Sequence, residues 1–212
     1  MSNDDIESLK TSKRLEIIHE KLNQRDSVKI RDIVDLISSE SNYLLILILV
    51  APFLLPVSIP GSSTPFGLLI IFLAFSSLSN KPLHITKKVS ETEMTHESLD
   101  KLFNLLDKFL YYIEKVSHPR GNLTDNKNVL KLNNLIMIIL AFALFLPLPI
   151  PFTDFIPSLA ILILSVSNLE KDTYLMIIGY LAAIGAVYYF YSVGSLGIDV
   201  IVYTLNHFGI TF

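Results

Sequence analysis

The feature that most constrains this chain is an apolar stretch, residues 43–79, that prolines interrupt near its middle. The stretch has no charged residue, and its interruption runs from residue 56 to residue 65. A proline removes a backbone donor and clashes with the preceding helical turn, so the stretch cannot form one straight helix. We interpret it as a helical hairpin in a membrane.

The length of its two arms limits the kind of hairpin this can be. Residues 43–55 and 66–79 would each form a helix of about 20 Å, whereas the hydrocarbon core of a bilayer is about 30 Å thick. Either the hairpin is re-entrant and its tip ends inside the bilayer, or the helices continue through the prolines and the turn reaches the far surface. We favour the re-entrant form.

A second stretch of the same design, residues 132–169, follows at an offset of 91 residues and breaks at residues 147–157. At this offset Pro56 aligns with Pro147, Pro60 with Pro151, and Ser76 with Ser167. The pattern predicts an internal duplication, and the alternative is two unrelated proline-interrupted segments. The residues assigned to the breaks are Pro56, Pro60, Gly61, Pro65, Pro147, Pro149, Pro151 and Pro157.

Charge distribution predicts how the chain is oriented. Hydrophobic residues make up 51% of the chain, and 16 of the 17 Lys and Arg residues lie before residue 43 or between residues 81 and 131. The positive-inside tendency then places the N-terminus and residues 81–131 in the cytoplasm. We therefore expect an all-α, multi-pass membrane protein whose two hairpins enter from the same face.

The segments outside the hairpins predict further helices. In the N-terminal segment, residues 1–42, a weak apolar stripe precedes an amphipathic helix over residues 27–39 that Ser27 could cap. The linker, residues 80–131, holds an amphipathic helix at 98–116, which we expect along the membrane surface or, alternatively, against a partner helix. The last segment, residues 170–212, has a transmembrane helix over 173–198 that ends near Gly194 and Asp199.

The polar residues at the hairpin tips are the candidate binding site. Non-helical backbone inside a bilayer needs protein or a water-filled cavity around it, and broken helices that meet near the midplane are typical of transport sites. We expect the tips to approach one another across a pseudo-two-fold axis. The alternative is that these are ordinary turn residues. The candidates are Ser58, Ser62, Ser63, Thr64, Thr153 and Asp154.

Motifs for other functions are missing from the sequence. It has no phosphate-binding glycine loop, zinc-type histidine spacing or nucleophile elbow, so we expect no catalytic residue, metal or cofactor. Acidic residues interleave every basic segment, which excludes a nucleic-acid interface. A membrane scaffold is an alternative to a transporter. An intramembrane enzyme is a third class, for which only Asp154, Glu170, Asp172 and Asp199 could supply acid–base chemistry.

A set of short motifs lies within residues 27–195. They are Leu54-Leu55-Pro56, Pro60-Gly61-Ser62, Phe66-Gly67-Leu68-Leu69, His118-Pro119-Arg120, Leu146-Pro147-Leu148-Pro149, Ile156-Pro157-Ser158-Leu159-Ala160 and Leu169-Glu170-Lys171-Asp172. In combination and order, these motifs resemble the ExoD family of exopolysaccharide-synthesis membrane proteins. The sequence differs from the usual family pattern at Thr173, where a Gly is usual, and at Asp154, where Gly-Asn is common. The resemblance implies a bacterial inner-membrane protein whose partners are polysaccharide-synthesis proteins or further copies of the chain.

Overall fold

In the residues that the structure describes, seven α-helices form the fold, together with two short 3₁₀ turns and one two-residue strand pair. A computed structural model describes residues 9–25, 27–29, 32, 41–55, 63–79, 93–146 and 150–207, with only the backbone from 196 onward. The helices are α1 (Thr11–Asn23), α2 (Asn42–Val50), α3 (Thr64–Ser79), α4 (His96–Val116), α5 (Lys127–Phe145), α6 (Phe155–Leu169) and α7 (Thr173–His207). The all-α prediction is confirmed.

Four apolar helices, α2, α3, α5 and α6, form the bundle on which the other helices pack. Residues Leu44 to Val50 of α2 are all buried, and this helix contacts both α3 and α6. Helix α3 packs most extensively along α5, and α6 packs along α7. Each arm of one hairpin thus contacts an arm of the other.

Gly67 allows the closest of these helix contacts. A Cβ atom added to it would lie 2.7 Å from the Phe145 nitrogen and 2.9 Å from the Ala141 oxygen. Only a residue without a side chain lets two helices approach backbone to backbone in this way. The crossing of α3 and α5 is therefore fixed at this point.

Helices α1 and α4 pack on each other through the apolar stripes seen in the sequence. Leu15, Ile18 and Leu22 of α1 are buried, as are Phe103 and Leu106 of α4. Helix α4 also contacts the 3₁₀ turn Ala51–Leu54 that follows α2. The apolar side of α4 therefore packs against other helices of the protein, in agreement with the alternative that this helix contacts a partner helix.

The predicted helix over residues 27–39 is wrong at its start. Val28 and Lys29 form strand β1, which pairs antiparallel with β2 (Glu93–Met94). Val28 is completely buried, and the Lys29 N–H donates to the Asp32 carboxylate at 2.9 Å, so the local bonds favour the extended chain. Residues 30, 31 and 33–39 lie outside the described residues.

Within the described part of the chain, two helices are long and apolar enough to cross a membrane, α5 (Lys127–Phe145) and the first part of α7 (Thr173–Ser195). Helix α7 continues to His207, past the membrane exit predicted near Gly194 and Asp199. Glycine weakens a helix but, unlike proline, leaves its hydrogen bonds possible. At 35 residues, α7 is about 52 Å long.

Candidate functional site

Of the fourteen residues predicted to bind at the tips or to break the hairpins, seven lie in the described parts of the chain. Asp154 and Ser63 directly precede α6 and α3, and Pro65 and Pro157 lie in the first turns of these helices. Proline is tolerated there because the first N–H groups have no intrahelical partner. The candidates outside the described residues are Pro56, Ser58, Pro60, Gly61, Ser62, Pro147 and Pro149.

Three of the described polar tip residues are buried. Ser63 is 1% exposed, Thr153 is 1% exposed and Asp154 is 6% exposed, whereas Thr64 is half-buried. Within residues 43–79 and 132–169, Asp154 is the only charged residue. Its side chain makes no capping hydrogen bond to α6. A buried carboxyl group therefore lies at the start of a helix in an otherwise uncharged stretch.

Neighbouring elements hold the second tip in place. The Thr153 hydroxyl donates to the Ile150 carbonyl at 2.7 Å, and Phe152 has a φ of 64°. The Tyr189 hydroxyl of α7 donates to the Pro151 carbonyl. From the first hairpin, the Thr64 hydroxyl donates to the Phe145 carbonyl at 3.1 Å. The start of α3 thus lies beside the end of α5, where the chain enters the second tip.

Two further polar residues of α6 were missed by the sequence analysis. Ser158 and Ser165 follow Asp154 by four and eleven residues, which places all three on one side of the helix, within about 40°. Both serines are completely buried, and neither hydroxyl has a hydrogen-bond partner among the described residues. We call Asp154, Ser158 and Ser165 the α6 polar line. Ser167, also buried, instead donates to the Leu164 carbonyl at 2.8 Å.

Three side-chain hydrogen bonds form a polar layer at the other end of the bundle. Asn42 donates to Ser77 at 2.9 Å, Asn133 donates to Asn168 at 3.0 Å, and the Tyr43 hydroxyl donates to Asn134 at 3.3 Å. At the offset of 91, the six residues of this polar layer form equivalent pairs: Asn42 with Asn133, Tyr43 with Asn134, and Ser77 with Asn168. The identity of Asn42 and Asn133 at this offset could have revealed the layer.

Beyond the polar layer, two of the ExoD-like motifs meet around Asp172. Its carboxylate accepts hydrogen bonds from the backbone N–H groups of His118 at 2.8 Å, Tyr174 at 2.9 Å and Leu175 at 3.3 Å. The Arg120 guanidinium donates to it at 3.3 Å. Burial opposes the ionisation of Asp172, but these four donors together hold the pKa of its carboxyl below the usual value.

Two glutamates attach α1 to the same end, which we call the charged end. Glu170 accepts from both the backbone N–H and the hydroxyl of Thr11, each at 2.6 Å. Glu114 of α4 likewise accepts from the N–H and the hydroxyl of Ser12, each at 2.6 Å. The first N–H groups of a helix have no intrahelical partner and favour negative charge. Both glutamates therefore cap α1 from distant parts of the chain.

The described residues contain no group of three or more His, Cys, Asp or Glu side chains that could hold a metal ion. Two clefts in this part of the chain lie away from the tips. One lies between α1 and α4 and is lined by charged residues such as Glu16 and Asp107. The other lies between α5 and α7 and is lined by apolar and tyrosine side chains.

Comparison with known proteins identifies the family. The family profile described as "Exopolysaccharide synthesis, ExoD" matches residues 11–192. The chain belongs to the ExoD family. This confirms the resemblance inferred from the motifs and extends it to the start of α1.

Two curated relatives of this ExoD-family chain cover most of its length. Protein ExoD of Rhizobium meliloti (strain 1021) is 29% identical over 80% of this chain and 71% of the relative. The uncharacterized protein slr1875 of Synechocystis sp. (strain ATCC 27184 / PCC 6803 / Kazusa) is 27% identical over 74% of this chain and 78% of the relative. No solved structure matches the chain. The family is linked to exopolysaccharide synthesis. The two long apolar helices of the described part of this chain, α5 and α7, support membrane association.

Proposed function

We propose that this ExoD-family protein is a multi-pass inner-membrane permeation protein of exopolysaccharide production, with a polar site between two re-entrant, duplicated hairpins. The observation that carries this proposal is the buried Asp154 at the start of a helix that begins inside an apolar bundle. An ionisable residue within a membrane segment is costly and is most often functional.

The polar layer supports the duplication. A two-fold rotation that exchanges the hairpins would convert the Asn42–Ser77 hydrogen bond into the Asn133–Asn168 hydrogen bond. It would also exchange Tyr43 with Asn134, which bond to each other. A pair of residues at equivalent positions can touch in this way where both lie beside the axis. Two unrelated hairpins would have no reason to repeat these contacts at one offset.

The position of the second tip supports re-entry. Tyr189, which bonds the Pro151 carbonyl, lies 17 residues after Asp172, or about 25 Å along α7. The hydrocarbon core is about 30 Å thick, so this tip would end inside the bilayer if α7 enters it near Thr173. Helix α7 then extends well past the tip, to His207.

The site itself is formed by helix starts that lie at the same depth in the two hairpins. Ser63 precedes α3 and Asp154 precedes α6 at equivalent positions, and Thr153 lies next to Asp154. Helix N-termini present free N–H groups, which bind polar solutes in transporters with broken helices. We assign Ser63, Thr64, Thr153 and Asp154 to this site, together with Ser58 and Ser62 of the first tip.

A membrane scaffold is the second candidate, supported by the outer side of α4. Tyr111 is 64% exposed and Tyr112 is 72% exposed, next to an exposed Val116. Exposed aromatic side chains suit either a membrane surface or a protein partner. The scaffold would use this side to hold polysaccharide-synthesis proteins or a second copy, and its tips would be sealed.

Purified protein in liposomes can distinguish the two functions. We expect the wild type to increase the uptake of radiolabelled glucose or glucuronate, and we expect Asp154→Asn to abolish the increase. Asp125→Asn, at an exposed residue outside the bundle, is the matched control. Uptake equal to that of empty liposomes would contradict the permeation proposal and favour the scaffold.

Topology can be tested separately, because the chain has no cysteine of its own. A cysteine at the exposed Asn122 should react with a membrane-impermeant reagent only from the cytoplasmic side. Labelling from the periplasm would contradict the shared entry face.

A further inference from the structure

We propose that helix α6 carries a proton path, which runs along the α6 polar line from Asp154 to Asn133 and Asn168 at the charged end. This inference rests on the proposed function, because it requires water to reach the tip inside the bilayer from the side opposite the charged end. It identifies the proton as an ion that the site at Asp154 transports.

The first step of the argument is the unusual state of the two serines. A buried serine in a helix commonly bonds to a carbonyl of the preceding turn, as Ser167 does with Leu164. Ser158 and Ser165 are equally buried but have no partner in the described part of the chain. Buried polar groups without a protein partner are often satisfied by bound water. Both hydroxyls are therefore positions at which water can bind inside the protein.

The second step is the continuity of the line from one end of the bundle to the other. Asp154 lies at the tip, and Ser158 and Ser165 follow on the same side of α6. At the charged end, Asn133 donates to Asn168, and the Asn133 side-chain oxygen is buried without a donor in the described residues. This oxygen can accept a hydrogen bond from water, which extends the line by one more position.

The third step is chemical. Asp154 carries the only carboxyl group in either hairpin stretch, and a carboxylate can accept a proton and donate it again. A proton from water at the tip binds its carboxylate and passes to a bound water. Each hydroxyl then accepts a proton on one side and releases its own on the other. One proton leaves to water at the charged end, Asp154 is ionised again, and no other bond has changed.

The first hairpin lacks this line, which explains why the path is single. At the offset of 91, Ser158 corresponds to Gly67 and Ser165 corresponds to Ala74. Gly67 touches the backbone of α5 and leaves no room for water beside it. Only the second hairpin therefore combines an ionisable tip with buried hydroxyls.

Proton flux into liposomes that contain an entrapped pH-sensitive dye provides the test. With an applied potential, we expect Ser158→Ala and Ser165→Ala each to reduce the flux about tenfold, as loss of one hydrogen-bonded relay would. Asp154→Asn should abolish the flux. Ser167→Ala is the matched control, because it removes an equally buried hydroxyl that already has a partner; its flux should equal that of the wild type.

Thermal unfolding in detergent gives an independent readout. Removing a hydroxyl that has no partner should leave the melting temperature unchanged or raise it, so a lower flux would not reflect misfolding. Wild-type flux in both alanine variants, or flux no greater than in empty liposomes, would overturn the proton path. Sugar uptake without proton flux would refute this inference and leave the proposed function standing. Proton flux without sugar uptake would support the proton path and contradict sugar permeation.

Discussion

The two hairpins share a sequence pattern but occupy different surroundings. Helix α2 of the first is buried on all sides from Leu44 to Val50, whereas the corresponding helix α5 exposes Leu135, Ile139 and Phe142. Neither helix is divided into an apolar side and a polar side, so the sequence of either one suits a fully buried or a partly exposed position. The difference arises because α4 also packs on α2 and on the 3₁₀ turn Ala51–Leu54 that follows it.

The second arms differ in burial as well as in chemistry, because α3 exposes Leu68, Phe72 and Phe75 whereas α6 has no exposed residue. Helix α3 uses Gly67 for a backbone contact, and α6 has Ser158 at the equivalent place. This comparison indicates that one hairpin is specialised for packing and the other for polar chemistry. Three sets of substitutions test this division, in order of decreasing expected effect.

The largest effect is expected at Asp172, whose equivalent after the first hairpin is Lys81. Asp172→Asn should lower the free energy of unfolding by about 2–4 kcal/mol, because it replaces a charged acceptor of four donors. The folded pKa is below the usual value, so this contribution is present above pH about 4 and is lost as the pH falls through the folded pKa. Unfolding in detergent at several pH values measures it.

The exposed Asp125 provides the control for this substitution, and Asp125→Asn should leave stability nearly unchanged. If Asp172→Asn unfolds like this control at neutral pH, the cap at the end of the second hairpin does not stabilise the fold.

A smaller effect is expected for Gly67→Ala. The added Cβ would lie 2.7 Å from the Phe145 nitrogen, so α3 and α5 must move apart, at a cost of about 1–3 kcal/mol. Gly185 in α7 has nothing within 4 Å of an added Cβ and provides the control. We expect Gly185→Ala to be neutral or stabilising by up to about 1 kcal/mol. Equal melting temperatures for the two variants would refute the close crossing.

The smallest effect is expected for the Tyr43–Asn134 pair, which tests the axis directly. Tyr43→Asn and Asn134→Tyr should each cost about 1 kcal/mol, because each breaks the hydrogen bond. In the double variant the two residues have exchanged places, and a two-fold axis predicts that the bond forms again. A double-mutant cycle measures this recovery. Additive losses would show that the two hairpins are not equivalent at this layer.

The apolar helices were predictable from the sequence because long uncharged runs and prolines fix their approximate ends. The strand at Val28 and Lys29 was not predictable in this way, since it depends on a partner at Glu93 and Met94 far along the chain. Helix α5 begins at Lys127, before the apolar run, because Asn126 caps it through the Asn128 N–H at 2.9 Å.

The candidate site was only partly predictable for a related reason. Asp154 is recognisable as the only charge in an apolar stretch, whereas Ser158 and Ser165 look like serines that bond to their own helix. Whether such a hydroxyl has a partner depends on the packing around it. The contacts of Asp172 with His118 and Arg120 join segments more than 50 residues apart, and local patterns do not specify such pairs.

The attachment of α1 has a consequence for how the protein is made. The groups that cap Thr11 belong to Glu170, which lies 159 residues later in the chain. During synthesis, the first helix leaves the ribosome long before that carboxylate exists. Helix α1 can pack on α4 as soon as α4 has been made, but its cap by Glu170 forms only after the second hairpin is complete, so this cap is a late step of folding.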